Sequence, residues 1–190
     1  MKAQILLATH NPRIDLLTRQ LASLSAQTET DWQCLVCDDA SGDRSTVTEA
    51  LTDPRFHLLA PTGHLGPYRA FERLLLSADD VPVFLCDQDD YWHPDKLTRM
   101  LAVAGTSFSA MRVVGEQGGL IRDRFLPSPT DLRPSALLLM NCVSGTALKV
   151  TPGVRAASLP FPAPQLRGWH DQWLAAVAAR IGTLAYIDEP

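Results

Sequence analysis

The sequence predicts an α/β fold, with a mostly parallel sheet flanked by helices in a single domain. Three observations carry this. Short apolar runs alternate with segments of helical period over residues 1–103. The run before Asp87 reads as a buried strand, the kind a sheet covered on both faces requires. Polar, turn-forming clusters follow the strand candidates at THN (9–11), DDASGD (38–43) and CDQDD (86–90).

Each element has its own justification. Gln4–Ala8 is a short apolar strand, and Pro12–Ser25 carries Ile14, Leu16, Leu17, Leu21 and Leu24 at helical spacing. Trp32–Cys37 reads as a strand, Arg44–Leu51 as a short helix and Phe56–Leu59 as a short strand. Tyr68–Leu76 places Phe71, Leu74 and Leu75 on one helical side. Val81–Cys86 is a strand, and Pro94–Val103 a helix with Pro94 at its first position. The second half is less regular. Ser107–Val114 is read as a strand and Gly115–Thr130 as a long loop; Ser135–Met140 is helical and Thr146–Val150 extended. Pro160–Gly168 is a Pro-rich connection. Trp173, Leu174, Val177, Ala178 and Ile181 define a helix from His170, Gly182 ends it, and Leu184–Ile187 is a final strand. The expected division is a first half over 1–103 and a second over 104–190.

Composition narrows the function classes. A net charge of −4 argues against sequence-independent nucleic-acid binding, which draws on Lys and Arg neutralising phosphates. The apolar stretch at the N-terminus is shorter than a signal-peptide core, and no run approaches a membrane span, so a cytoplasmic location is expected. Cys34 and Cys37 form a C-x-x-C, but an odd spacing on a strand sends the two thiols to opposite faces. They are expected to be small core hydrophobes.

Ligands of parallel sheets bind at the carboxyl ends of the strands, so the three polar loops are the expected site. Asp87 and Asp89, if the strand runs on briefly, project to one side and repel. Mg²⁺ or Mn²⁺, which prefer oxygen ligands, would remove that repulsion and bridge to a diphosphate. Asp90 is expected to be structural or to support the ligands from behind, and Asp95 to sit in the first turn of the next helix. Asp38 and Asp39 close the second strand, where a carboxylate either accepts from a nucleobase or ribose or caps a local turn. Arg69 is a candidate for meeting phosphate, and Arg73 is read as a solvated helix face. The Walker and dinucleotide glycine signatures are missing. Asp171, at the start of the last helix, is either a cap or a general base, and His170 beside it has the more convenient intrinsic pKa.

These segments together resemble the family 2 glycosyltransferases of GT-A fold, closest to bacterial rhamnosyltransferase-like members. The resemblance rests on ILLATHN, LLTRQLASLSAQT, LVCDDASGD, HLGPYRAFERLL, FLCDQDDYWHPDKL, NCVSGTA and HDQWLAAVAARIGTLAYIDEP, in that order. It implies an inverting transfer of a sugar from a nucleotide diphosphate donor, such as a UDP- or dTDP-sugar, to a glycan or lipid-linked acceptor. Thr9 and Asp39 match positions contacting the nucleoside, Asp87-Gln88-Asp89 the metal-binding D-x-D, and Asp171 the base. Asn141 and Gly145 match the acceptor side, where His170 stands in place of a common Glu. Ala70 and Ala110 depart from an expected Asn and Asp. The family pattern continues past Pro190 into a segment that closes the site, so a truncated or divergent member is expected. The leading expectation is a metal-dependent enzyme of bacterial surface polysaccharide synthesis, at the inner face of a membrane if the acceptor is lipid-linked. A non-catalytic nucleotide-sugar-binding or partner domain is the alternative. A sugar-phosphate nucleotidyltransferase ranks below both, because THNPRID lacks the expected Gly-rich basic loop.

Overall fold

The computed structural model describes residues 1–163 and 169–189. Strands β1 (Ala3–Thr9), β2 (Trp32–Asp38), β3 (Phe56–Leu58) and β4 (Val83–Cys86) alternate with helices α1 (Ile14–Ser25), α2 (Arg44–Ala50) and α3 (Gly66–Ser77). Next come α4 (Lys96–Ala102), β5 (Thr106–Ser109), β6 (Val113–Val114), β7 (Leu120–Arg122) and α5 (Pro134–Leu139). A 3₁₀ turn at Gly145–Ala147 leads into β8 (Leu148–Val150), followed by α6 (Pro152–Ser158), α7 (His170–Arg180) and β9 (Leu184–Ile187).

The main sheet has the order β3-β2-β1-β4-β8-β5-β9. The β1–β2, β1–β4, β2–β3 and β5–β9 pairs are parallel, and β8 is antiparallel to both its neighbours. Strand alternation divides the core into two layers. Ile5, Leu7, Cys34, Val36 and Phe84 face one side with Leu17, Leu21, Val47 and Leu97 of α1, α2 and α4. Leu6, Leu35, Cys37, Val83 and Leu85 face the other, with Phe71, Leu74, Leu137, Val154 and Leu174 of α3, α5, α6 and α7. Each such leucine, fully buried, stabilises the fold by about 1.5–3 kcal/mol. The sheet separates the C-x-x-C thiols as the spacing requires, and burial pushes the Cys34 thiol pKa up.

The structure revises some boundaries. The extended segment expected over Ser107–Val114 breaks at Ala110, whose amide donates to Ile187 O at 3.0 Å and fastens β5 to the end of β9. The long loop expected over Gly115–Thr130 contains β7, which pairs with β6 as a two-stranded antiparallel ribbon. Helix α4 begins at Lys96, two residues after the expected Pro94, because Pro94 and Asp95 form the turn that leads into it. The expected connection Pro160–Gly168 falls partly outside the described residues, which resume at Trp169.

One polar contact ties the second half of the sheet to the first. Lys149 on β8 is 3% exposed and donates from Nζ to Met100 O at 2.7 Å and Val103 O at 2.5 Å. It thereby satisfies carbonyls at the C-terminal end of α4, where a cation also complements the helix dipole. Replacing Lys149 with Met should leave Val103 O without a donor and Met100 O with only the Val103 amide at 3.3 Å, and lower the unfolding free energy by about 1–3 kcal/mol. Urea denaturation at neutral pH measures this, and an unchanged midpoint would refute the capping role.

Candidate functional site

The chain leaves β1 toward β2 and β3 on one side, while β4 lies on the other. The β1/β4 boundary is therefore a topological switch point, where a crevice opens beyond the carboxyl ends of the strands. The three polar loops meet there. Asp39 N donates to Thr9 O at 2.7 Å, His10 N to Gln88 Oε1 at 2.8 Å and Asn11 N to Ser41 Oγ at 2.9 Å. Gly42 N donates to Asn11 Oδ1 at 2.8 Å. Ala40, between the two bonded aspartates and Ser41, has a left-handed φ of 56°. That conformation costs a non-glycine residue roughly 1–2 kcal/mol, which these cross-loop bonds offset.

Asp38 and Asp39 are both buried and have separate partners. Asp38 accepts from Thr9 Oγ1 at 3.1 Å and Ser41 Oγ at 2.5 Å, and Arg44 lies 3.4 Å away. Asp39 accepts from Leu65 N at 2.5 Å and Gly66 N at 2.8 Å, holding the start of α3 against the end of β2. Gly66 has a φ of 74°, a conformation that suits glycine. The Thr9 side chain is thus spent on Asp38, while Asp39 sets the position of α3.

The acidic loop behaves differently. Strand β4 stops at Cys86, so Asp87, Asp89 and Asp90 lie on a turn rather than on one face of a continuing strand. All three line one cleft of about 790 Å³, with Lys96, Arg112 and Thr146 on other walls. Asp90 therefore lines the cleft with Asp87 and Asp89, where the sequence suggested a structural role or one behind the ligands. Among the described residues none of these carboxylates accepts a hydrogen bond; the Cys86 thiol reaches only the Asp87 carbonyl, at 3.4 Å. Burial pushes the Asp87 pKa up to about 7, and repulsion from Asp90, Asp89 and Asp171 adds to the shift. Lys96 opposes it. Its ammonium lies 4.1 Å from the Trp92 ring centre and donates to Thr146 O at 2.6 Å, and burial brings its pKa down to about 8.

This donor set fits a hard divalent cation: all-oxygen, anionic and without protein donors of its own. The loop does not supply three carboxylates within 4.8 Å of one another among the described residues. A cation there would complete its shell with water and substrate oxygens, as Mg²⁺ commonly does.

The second half supplies Asp171 at the start of α7. Its carboxylate accepts from Gln172 N at 2.6 Å, Gly145 N at 3.1 Å and Asn141 Nδ2 at 3.2 Å. Burial raises its pKa, and these bonds oppose the rise. Asn141 is itself fixed by bonds to Val143 N and Val143 O.

Three of the predicted residues have partners the sequence did not show. His170 is drawn into the core: it is 8% exposed and stacks on Phe71 with ring centres 4.0 Å apart. Burial pushes its pKa down to about 3, so it is a neutral core imidazole. Its Nε2 lies 2.6 Å from where a Cβ on Gly145 would stand, so Gly145 must be glycine for the two to pack. Arg69, the candidate for meeting phosphate, donates to Glu72 Oε2 at 2.5 Å and to Phe161 O at 3.2 Å. Arg73, read as solvated, donates to Ala60 O at 2.6 Å. Lys96 was missed; the available signal was a lone lysine six residues after Asp90, close along the chain to the acids.

Residues 4–127 match the family model described as glycosyl transferase family 2. An uncharacterized glycosyltransferase of Nostoc sp. is 31% identical over 110 residues, 56% of this chain and 34% of its own length. The succinoglycan biosynthesis protein ExoO of Rhizobium meliloti is 30% identical over 100 residues, 52% of this chain and 29% of its own. The chain thus spans about a third of the length of these relatives. Among solved structures, S. aureus TarS 1–349 in complex with UDP-GlcNAc superposes with a TM-score of 0.76 at 18% identity, covering all of this chain and 57% of that one. The mannosyltransferase PcManGT from Pyrobaculum calidifontis, in complex with GDP-Man and Mn²⁺, gives 0.71 at 20%, covering all of this chain and 55% of that one.

A pH dependence follows from Asp87. Its folded pKa, about 7, lies above the ordinary carboxylate value of 3.8. Between those values the folded state holds the extra proton, so Asp87 stabilises the metal-free protein below pH ~4 and that contribution is lost as pH rises through ~7. Thermal melts of metal-free protein between pH 5 and 8 should fall less steeply for Asp87→Asn than for wild type. Equal slopes would show that Asp87 titrates normally.

Proposed function

Because the chain belongs to glycosyl transferase family 2, we propose that it is an inverting, metal-dependent enzyme moving a sugar from a nucleotide diphosphate donor to a glycan or lipid-linked acceptor. The observation that carries the reading is the meeting of two unlike carboxylate stations. An acidic loop without internal donors and a hydrogen-bonded Asp171 come from opposite halves of the chain, close enough for Asp171 to repel Asp87.

In this reading Asp171 removes the proton from the acceptor hydroxyl as its oxygen bonds to the anomeric carbon and the bond to the diphosphate breaks. Its burial favours proton uptake, while Gly145 N and Asn141 hold the carboxylate in one orientation. Asp87 and Asp89 would hold Mg²⁺ or Mn²⁺, which supplies Lewis-acid stabilisation of the leaving diphosphate. Asp90 and Lys96 tune the charge at that loop. Thr9 and Asp39 shape the nucleoside end through the bonds they make to neighbouring loops, and Arg69 serves there by bracing α3 against Phe161. Gly145 with Asn141 borders the acceptor.

The relatives and neighbours support the substrate class: UDP-GlcNAc with TarS, GDP-Man and Mn²⁺ with the mannosyltransferase, and succinoglycan biosynthesis for ExoO. We assign the chain a nucleotide-sugar donor and a role in bacterial surface polysaccharide synthesis, with no nucleic-acid partner. No helix among the described residues is long and apolar enough to cross a membrane. With a lipid-linked acceptor, this reading places the transfer at the inner face of the membrane. One observation favours a non-catalytic donor-binding domain instead: Ala110 lines the cleft where the resemblance leads one to expect an Asp.

Two variants test the assignment together. Asp171→Asn should lower transfer by about 10²–10⁴-fold with donor affinity unchanged, as expected for a lost general base. Asp89→Asn should weaken Mn²⁺-dependent donor binding itself. Isothermal titration with UDP-, dTDP- and GDP-sugars, with and without Mn²⁺, reads the second effect. Donor binding without transfer by wild type across a broad acceptor panel would favour the non-catalytic reading.

A further inference from the structure

Away from the acidic loop, His10, Asp39 and His64 gather at the outer edge of the switch point. Each offers a ligand atom within 4.8 Å of the other two, and no other trio of His, Cys, Asp or Glu among the described residues does so. The geometry points to a second metal site, for a borderline transition ion of the Zn²⁺ class, held by the two imidazoles and the Asp39 carboxylate.

The ligand chemistry separates this trio from the acidic loop. Two nitrogens and one oxygen suit Zn²⁺, Co²⁺ or Ni²⁺, whereas the all-carboxylate loop suits Mg²⁺ or Mn²⁺. The trio is also organised for the task. His10 Nδ1 lies 2.6 Å from Asp39 O, which can only accept, so Nδ1 carries the proton. Asn11 Oδ1 is occupied by Gly42 N, so its amide nitrogen faces His10 Nε2, 3.0 Å away, as a donor. Both contacts select the neutral tautomer with its lone pair on Nε2, where an incoming ion would displace the Asn11 amide. A carbonyl behind the protonated nitrogen is the usual support of a metal-binding histidine.

Asp39 is the rigid member. Buried at 3% exposure, it is pinned by the amides of Leu65 and Gly66 at 2.5 and 2.8 Å. His64 approaches from solvent, with Nδ1 3.0 Å from Asp39 Oδ2 and a side chain 62% exposed. That separation is close to the edge of a tetrahedral site with bonds of about 2.0 Å, roughly 3.3 Å. The His10 and His64 rings are 4.7 Å apart between centres, tilted by 41°. Closing the widest ligand gap to a tetrahedral edge requires roughly 1.5 Å of movement, which rotation of two exposed imidazoles supplies. A three-ligand site leaves a coordination position open to water or to a ligand atom. Loading would clamp the β1 loop to the segment before α3. If the nucleoside end of a donor lies where Thr9 and Asp39 place it, the ion and the donor would compete; this consequence alone rests on the glycosyltransferase reading.

Zinc chloride titrated calorimetrically into the chain tests the site without any donor. With the acidic loop occupied by excess Mg²⁺, the expected result is one Zn²⁺ per chain, at least tenfold weaker in His10→Ala and in His64→Ala, and unchanged in Asp89→Asn and Cys142→Ser. Circular dichroism melts confirm that the two exposed-histidine variants stay folded. The site is overturned if wild type binds no zinc, if either histidine variant binds as tightly as wild type, or if Asp89→Asn or Cys142→Ser abolishes binding. Repeating the titration with UDP present tests the placement: weaker zinc binding supports competition, and unaltered binding overturns it while leaving the site intact.

Discussion

Repulsion among Asp87, Asp89 and Asp90 is the constraint around which the rest of the molecule is arranged. Strand β4 is buried along its whole length, and it delivers these acids to a place where water solvates Asp87 poorly. Such a crowd persists only if its field is opposed. Lys96 opposes it, and Lys96 is where it is because α4 is held at both ends. The far end of α4 is capped by Lys149 from β8, and the near end is reached through the Trp92 turn, whose amide donates to Ser23 Oγ at 3.0 Å. The charge balance at the site therefore depends on packing contacts spread over both halves of the sheet.

The same dependence joins the two carboxylate stations. The Lys96 ammonium ends on Thr146 O, one residue from the Gly145 amide that holds Asp171. Behind that amide stands His170, neutral and stacked on Phe71, leaving room for a glycine and nothing larger. A short path of named contacts thus runs from the acidic loop through Lys96 and the 3₁₀ turn to Asp171. Such a frame suits the proposed reaction, in which a leaving group and an attacking hydroxyl must be aligned at once.

Much of this was legible in the sequence because local chemistry dictated it. The helix and strand periods placed nearly every element of the first half, the odd Cys34–Cys37 spacing placed the thiols on opposite faces, and the strand-end rule brought the three loops together. What the sequence did not show depended on contacts distant along the chain. Thr9, Asp39 and Arg69 look like ligand contacts in sequence, and their bonds to Asp38, the α3 amides and Glu72 are not visible there. His170 looks like a titrating group until Phe71 covers it. Lys96 looks like a surface lysine until Trp92 and Thr146 enclose it. Asp90 could not be grouped with its neighbours because alternation was extended past Cys86, where the strand has already ended.

The central proposal is that the acidic loop and Asp171 act on one donor, with a divalent cation held by the loop. Paramagnetic broadening of amide resonances by Mn²⁺, titrated in the presence of a UDP-sugar, tests it most directly. The account predicts that broadening begins at Asp87–Asp90 and extends to the amides of Gly145 and Asp171 in the other half of the chain. Broadening that spares Gly145 and Asp171, or that centres on His10 and Leu65, would contradict it.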